Sequence, residues 1–268
     1  MTATAAPPSA SSVRALRAQV RFEVTTFLRE PTDLFFSAAL PLLFLVIFTS
    51  IFGGDPVAEG SSVTIAQQMV PGFVAFALVA SGFTSMALNL VFKRERGMLK
   101  RIRVTPVPMW VVFGGLAGRV LLTSATVTAV LVAVGRVAFD VSLPLAHLPL
   151  LAAGLVLGSA SLCCLGVAAT ALVRNEDAAP AITNAIVLPL FFVSGVFIPS
   201  DQLPDGLRVL GEVFPVEPLV AVLVDAFDPG PVPLGPTLGH LAVVAAWGAV
   251  GLVVAGRTFR TVPQRDRE

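Results

Sequence analysis

The chain has 268 residues, of which 55% are hydrophobic and only 13% are charged, and its formal net charge is +1. Its mean hydropathy is +0.85. Ordinary soluble domains carry about 25% charged residues, so this composition excludes a typical soluble fold and predicts an integral membrane protein. The net charge itself says little, because the charges on the two sides of a membrane average out.

The N-terminal thirty residues predict a tail followed by an amphipathic helix. Residues 1–12 are rich in Ala, Thr, Pro and Ser, which is typical of a disordered tail. Within residues 13–30, apolar residues recur every three or four positions, and three arginines repeat that spacing on a neighbouring face: Arg14, Arg17 and Arg21. This pattern predicts a basic helix in the cytoplasmic membrane interface. It either positions the chain against a partner or serves as a simple anchor, and the sequence leaves both open.

Six long apolar runs follow and predict six membrane-spanning helices. The runs cover residues 34–52, 70–92, 111–134, 148–173, 181–198 and 238–255. At about 1.5 Å per helical residue, about 18 or more residues cross a hydrocarbon core of about 30 Å. The expected fold class is an all-α integral membrane protein, with one transmembrane domain over residues 31–260 and a polar cytoplasmic tail over residues 261–268.

The basic residues indicate the orientation of these helices. With six spans, both termini lie on the same side, and nearly every Arg and Lys outside the spans falls on that side. Only Arg136 and Arg208 fall on the other side. Because positively charged loops remain in the cytoplasm, both termini are expected to be cytoplasmic.

The loop between the second and third spans is rich in Arg and Lys. Within it, Met98 and Ile102 lie four residues apart, with Leu99 beside them. Anionic lipid can hold such a loop at the membrane surface. Alternatively, the loop forms a short helix whose apolar ridge docks in a groove of a soluble partner. The spacing alone does not decide between the two.

The predicted outer segment between the fifth and sixth spans has a helical pattern of its own. Four apolar residues fit one helical face: Leu203, Leu207, Leu210 and Phe214. Pro215 and Pro218 then interrupt the pattern, and Leu219–Phe227 forms a short apolar stretch. A helix of this length covers about 13 Å, too short to span, so the segment is expected to be re-entrant or interfacial.

The predicted spans contain few side chains that could take part in catalysis or carry a coupling ion. Arg119 is the one ionisable residue within a span, and it is expected to snorkel towards the cytoplasmic end. The chain has no P-loop pattern, so the energy for active transport would come from a partner. No catalytic, metal-binding or cofactor-binding set is visible. Three polar residues in the spans either line a substrate path or bond between helices: Asn89, Thr126 and Asn184.

Two motifs resemble those of the ABC-2 family of ABC exporter permeases. The first is Arg94-Glu95-Arg96-Gly97-Met98-Leu99-Lys100-Arg101-Ile102, followed by Thr105-Pro106. The second is Ser194-Gly195-Val196-Phe197-Ile198-Pro199, followed by Leu203-Pro204, Phe214-Pro215 and Pro218-Leu219. The chain departs from the family pattern in having Phe214 in place of Asn and in lacking Tyr altogether. The resemblance covers about residues 14–260, and daunorubicin-type drug-resistance permeases look most similar in length and pattern.

The resemblance implies a non-catalytic permease of the bacterial plasma membrane that exports a hydrophobic drug, lipid or glycan precursor. It implies a second permease chain, expected to be an identical copy, and two separate ATPase subunits that bind ATP and Mg, with no role for nucleic acid. The coupling helix seated in the ATPase would comprise Arg94, Glu95, Arg96, Gly97, Met98, Leu99 and Ile102. The helix carrying Arg14, Arg17 and Arg21 would be the interface helix beside it. The external gate with its re-entrant helices would include Gly195, Phe197, Pro199, Phe214 and Pro215.

A different class of function also fits the sequence. The chain would then be a membrane scaffold or sensor without transport activity, whose basic loop binds lipid or a signalling partner. Under that hypothesis only the joint removal of several basic charges matters, whereas a permease depends on single coupling residues.

Overall fold

The computed structural model describes residues 9–29, 31–54, 64–98, 109–173, 175–197 and 204–260, and all its regular elements are helices. The helices are α1 Ser9–Arg29, α2 Pro31–Phe52, α3 Ile65–Val79, α4 Ser85–Glu95, α5 Met109–Phe139, α6 Leu148–Ala169, α7 Ala179–Val193, α8 Asp205–Val213, α9 Val216–Phe227 and α10 Leu234–Arg260. The all-α expectation is confirmed for this part of the chain. Helix α1 begins at Ser9, within the predicted tail, and residues 1–8 lie outside the described residues, so the tail stays a prediction there.

Four helices are long and apolar enough to cross a membrane. They cover Ile65–Glu95, Trp110–Phe139, Leu148–Ala169 and Leu234–Arg257. The first and fifth predicted spans correspond to shorter apolar helices, Ser37–Phe52 and Ala179–Val193. By length and composition the described residues therefore support four spans, and the full set of six stays a prediction.

The fifth apolar run ends as a helix earlier than its hydropathy predicts. The run continues to residue 198, but α7 stops at Val193. Gly195 has a φ of 75°, a left-handed conformation that glycine adopts without steric cost. The backbone therefore leaves the helix inside an apolar stretch, which hydropathy alone does not register.

The second span contains a π-helical turn over Ala80–Thr84, which joins α3 to α4. In this wider turn the Ala80 carbonyl accepts the backbone N–H of Ser85, and it also accepts a hydrogen bond from the Ser85 hydroxyl at 3.1 Å. At this level α6 approaches very closely, since a Cβ on Gly166 would lie 2.6 Å from the Phe83 carbonyl oxygen. Such turns are frequent at functional sites.

The core is centred on α3, which is buried along most of its length. Helices α2, α5, α6 and α9 pack around it. Helix α10 packs on α6, and α1 lies along α5. The bundle therefore has a "basic end", where α1, the end of α4 and the start of α5 meet, and an opposite "hairpin end", where α8 and α9 fold against α10.

We expect Gly251→Ala to destabilise the protein by about 1–3 kcal/mol. A Cβ at Gly251 would lie 2.8 Å from backbone atoms of Cys164 and Leu165, and backbone cannot move aside as a flexible side chain can. Gly239→Ala on the same helix is the matched control, because a Cβ there meets nothing within 4 Å. Thermal melts of the purified protein in detergent measure the difference. Equal melting temperatures for the two variants would contradict the tight contact between α6 and α10.

Candidate functional site

A cavity of about 580 Å³ lies between α2, the π turn and α7, and we call it the middle cavity. Its lining residues are Ser37, Leu40, Pro41, Phe44, Phe76, Ala80, Ser81, Thr84, Ser85, Asn184, Val187, Leu188, Phe191, Phe192 and Phe197. These residues supply five phenyl rings, several hydroxyl groups and one amide, and none of them is charged. Such a surface suits a ligand with an apolar body and a few hydrogen-bonding groups.

A second cavity, of about 280 Å³, lies at the hairpin end, and we call it the hairpin-end cavity. Its lining residues are Ile65, Gln68, Met69, Gly195, Val196, Phe197, Val220, Ala221, Val224 and Asp225. The Asp225 carboxylate accepts a hydrogen bond from the Thr237 hydroxyl at 2.6 Å. This cavity is thus more polar than the middle cavity.

Phe197 lines both cavities and lies between them. The left-handed turn at Gly195 directs the chain back into the bundle after α7. The Phe197 ring then packs among six other phenyl rings at centroid distances of 5.8–6.2 Å: Phe44, Phe48, Phe73, Phe76, Phe191 and Phe192. Aromatic rings at such distances attract one another. Of the two gate residues predicted here, Phe197 therefore lies between the cavities, and Gly195 lines the hairpin-end cavity.

The predicted re-entrant segment forms a helical hairpin, α8 and α9, that packs on α10. The Phe214 ring stacks on Trp247 at 5.8 Å, and the Trp247 indole donates to the Val213 carbonyl at 2.7 Å. Pro215 is buried at the turn between the two helices. Pro199, also predicted for the gate, lies outside the described residues.

At the basic end, the predicted coupling residues separate into two groups. Arg94 and Glu95 are the last residues of α4, and the Arg94 guanidinium donates to the carbonyls of Thr170 at 3.2 Å and Val173 at 2.7 Å. Glu95, Arg96 and Met98 are exposed, and Gly97 has a φ of 67°. Leu99 and Ile102 lie outside the described residues, so their predicted helix stays a prediction. Arg94 thus holds the end of α4 to the end of α6, a packing role that the sequence does not reveal.

Helix α1, the predicted interface helix, is joined to α5 by an ion pair that sequence reasoning missed. Glu23 is buried, and its carboxylate lies 3.8 Å from the Arg119 guanidinium and accepts a hydrogen bond from Gln19 at 3.2 Å. Lys93 lies within electrostatic reach of both charges. Glu23 interrupts the apolar face of α1, four residues before the buried Phe27. An acidic residue at such a position could have indicated a buried partner of opposite charge. Arg14, Arg17 and Arg21 lie on the exposed face.

The three predicted path residues lie in different surroundings. Asn184 lines the middle cavity. Asn89 lines a small polar pocket of about 50 Å³ with Arg119, and this pocket shares three serines with the middle cavity: Ser37, Ser81 and Ser85. The Thr126 hydroxyl instead bonds the Leu122 carbonyl of its own helix, and Thr126 lines none of these spaces. Within the described ranges, no three His, Cys, Asp or Glu side chains gather as a metal site.

Comparison with known proteins gives one family and several distant relatives. Residues 14–227 match the family described as ABC-2 type transporter. YadH of Escherichia coli K12, named an inner membrane transport permease, is 22% identical over 232 residues, which is 82% of this chain and 88% of YadH. YvfS of Bacillus subtilis, whose name describes a transport permease, is 20% identical over 213 residues, which is 75% of this chain and 80% of YvfS.

The pair of Glu23 and Arg119 is expected to contribute measurably to stability. Removing one partner of a buried ion pair leaves an uncompensated charge and costs about 3 kcal/mol. We expect Glu23→Gln and Arg119→Gln each to lower the melting temperature, and the double variant to lose less than the sum of the two. Glu95→Gln is the control, because its exposed pair with Arg94 contributes about 0–1 kcal/mol. Additive losses in the cycle would show that the two groups do not interact.

Proposed function

The chain belongs to the ABC-2 type transporter family, and from that premise we propose that it is the membrane permease subunit of an ATP-driven exporter. Two curated relatives are permeases by name. The observation that carries the proposal is the position of Phe197 between two cavities. A permease needs a path that is interrupted by a movable barrier, and a scaffold does not.

The proposed path runs from the middle cavity past Phe197 into the hairpin-end cavity. Phenyl rings surround the first part of the path, and Asn184 offers a hydrogen bond there. Gln68 and Asp225 make the second part more polar. The path therefore becomes more polar towards the hairpin end. Such a change in polarity suits an amphipathic cargo that is released into water, such as a drug, lipid or glycan precursor. The resemblance to daunorubicin-type permeases favours the drug.

In the proposed orientation, the protein lies in the plasma membrane of a bacterium. Its basic end and both termini face the cytoplasm. Arg14, Arg17, Arg21 and the basic residues at the end of α4 lie at that end. Anionic lipid and the positive-inside rule favour this arrangement. The hairpin of α8 and α9 then faces outwards and closes the path.

The proposed assembly contains two copies of this chain and two copies of a separate ATPase, which binds ATP and Mg²⁺ and hydrolyses the ATP. Large apolar side chains are exposed around the middle cavity: Leu40 is 48% exposed, Leu188 53% and Phe192 58%. A second copy on this face would enclose the cavity between the two chains. ATP drives export through this assembly only if the nucleotide and the cargo favour different conformations.

Coupling is tested at Glu95, which is exposed beside the segment proposed to enter the ATPase. The chain is co-expressed with the ATPase encoded nearest to it, and ATP hydrolysis is measured in lipid nanodiscs. We expect Glu95→Arg to reduce the permease-dependent hydrolysis at least about tenfold, since reversing a charge at a docked interface costs several kcal/mol. Asp177→Arg is the control, because Asp177 is an exposed acid in the turn between α6 and α7. Equal activity of the two variants would contradict docking at Glu95, and no co-purifying ATPase would favour the scaffold hypothesis.

The barrier is tested at Phe197. Phe197→Ala would join the two cavities, so we expect a hydrophobic fluorescent dye to cross liposomes without ATP several-fold faster than with the wild type. Phe192→Ala is the control, because Phe192 lines only the middle cavity. Removing a packed ring costs about 3–5 kcal/mol, so Phe197→Leu, which keeps more volume, is measured beside it. An unchanged leak in folded Phe197 variants would contradict the barrier.

A further inference from the structure

A third cavity, of about 320 Å³, lies near the basic end between α4, α5, α6 and α10, and we call it the apolar groove. Its lining residues are Met86, Phe113, Gly114, Ala117, Ala160, Cys163, Cys164, Val167, Leu252, Ala255 and Gly256. It shares none of them with the middle cavity or the hairpin-end cavity. The groove is therefore separate from the proposed transport path.

The apolar groove opens at the surface of the bundle that faces lipid in a membrane. Met86, Cys163 and Val167 are buried and form its floor. At its edge, Leu252 is 64% exposed, and Gly256 on the same helix is exposed as well. All the lining residues belong to helices that are long and apolar enough to span. In the membrane, the mouth of the groove is therefore in contact with the hydrocarbon chains of lipids.

The lining of the groove suits a hydrocarbon chain. None of its side chains is charged, and their only heteroatoms are the sulfur atoms of Met86, Cys163 and Cys164. Because thiols and thioethers are weak hydrogen-bonding groups, a polar ligand would lose its bonds to water there without replacing them. Each methylene group that enters such a site favours binding. The groove thus matches an acyl chain better than it matches a polar cargo.

Basic residues lie beside the groove, on the side of the basic end. Arg257 directly follows the lining residue Gly256 and is exposed. Arg17 of α1 is exposed next to Leu16. A Cβ on the lining residue Gly114 would lie only 3.1 Å from Cδ1 of Leu16, so α1 lies directly against this wall of the groove. The positive charge there complements the phosphate of an anionic lipid.

Trp110 marks the level of the lipid headgroups. It lies three residues before Phe113 and seven before Ala117, which places it on the same face of α5 as these lining residues and nearer to the basic end. Its side chain is 52% exposed. Tryptophan is enriched at the interface between hydrocarbon and water. An acyl chain in the groove would therefore have its headgroup at the level of Trp110, where the arginines also lie.

We propose that the apolar groove binds one acyl chain of an anionic phospholipid, whose phosphate lies near Arg257 and Arg17. Basic pockets between membrane helices on the cytoplasmic side bind such headgroups. The chain fills the space between α5 and α10 and touches Met86, which follows the π turn by two residues. The bound lipid is thus in a position to restrain α4.

This lipid is a ligand of the permease fold and not its cargo. Its binding needs neither ATP nor the ATPase, so it is measured on the purified chain alone. A failed coupling experiment at Glu95 leaves the lipid site unaffected, and the reverse also holds. Only the choice of the cytoplasmic leaflet rests on the proposed orientation.

Native mass spectrometry of the chain in detergent counts its bound lipids directly. The chain is titrated with phosphatidylglycerol and, separately, with phosphatidylcholine that carries the same acyl chains. We expect one phosphatidylglycerol molecule to bind about tenfold more tightly, because two arginines face its net negative charge.

Gly256→Leu tests the groove itself. A Cβ at Gly256 meets nothing within 4 Å, so the leucine side chain can occupy the groove without displacing backbone. We expect phosphatidylglycerol to bind at least about tenfold more weakly, since the displacement of a few methylene groups from an apolar site has that effect. Gly239→Leu is the matched control on α10, because a Cβ there also meets nothing within 4 Å and Gly239 lies outside the groove.

Arg257→Gln tests the headgroup. We expect the affinity for phosphatidylglycerol to fall about fivefold, which is the effect of one basic residue near an anionic lipid. The affinity for phosphatidylcholine should not change. Arg208→Gln is the control, because Arg208 is exposed on α8 at the opposite end of the bundle.

Three results would overturn the proposal. Equal affinities of Gly256→Leu and Gly239→Leu for phosphatidylglycerol would show that the lipid binds elsewhere. Equal binding of the two lipids to the wild type would exclude selection of an anionic headgroup. The same spectra report the oligomeric state, so a loss of dimers in Gly256→Leu with unchanged lipid binding would assign the groove to a second copy of the chain. If Gly256→Leu does not fold, Ala117→Leu on the α5 wall decides.

Discussion

The hydrogen-bonding demand of the backbone in an apolar environment governs this structure. A chain with so little polar surface must satisfy its peptide groups within helices, and each interruption needs a substitute partner. Side chains from other helices provide several of these substitutes. Arg94 donates to two carbonyls just after the end of α6, and Trp247 donates to the last carbonyl of α8. The bonds that repair helix ends therefore also join distant helices to one another.

The interruptions create the space that the proposed function uses. Helix α7 stops at Val193, and the turn at Gly195 places Phe197 between the middle and hairpin-end cavities. An uninterrupted helix over the whole apolar run would direct residue 197 elsewhere. The phenyl cluster compensates for the lost helical packing with aromatic contacts, which hold the ring without fixing it by a hydrogen bond. A barrier of this kind is stable when packed and needs no bond to be broken when it moves.

Hydropathy and periodicity predicted the helices well and the polar contacts poorly. The long apolar runs predicted α3 with α4, α5, α6 and α10, because length and composition alone determine them. The end of α7 was placed too late, since Ile198 is as apolar as Val193. The ion pair between Arg119 and Glu23, nearly a hundred positions earlier in the sequence, was not predicted.

The π turn lies between the basic end and the hairpin end. In the proposed mechanism, the second span bends at this turn. Helix α3 is fixed by burial on nearly every side, whereas α4 ends in the basic segment that would engage the ATPase. A force on that segment reaches α6 through Arg94, and α6 touches the π turn again at Gly166. The Ser81 hydroxyl in this turn contacts Ser124 of α5 at 2.8 Å. Under the proposed mechanism, rotation of α4 against α3 would displace Ser81 and Ser85, which line the middle cavity, and would thereby change the shape of that cavity.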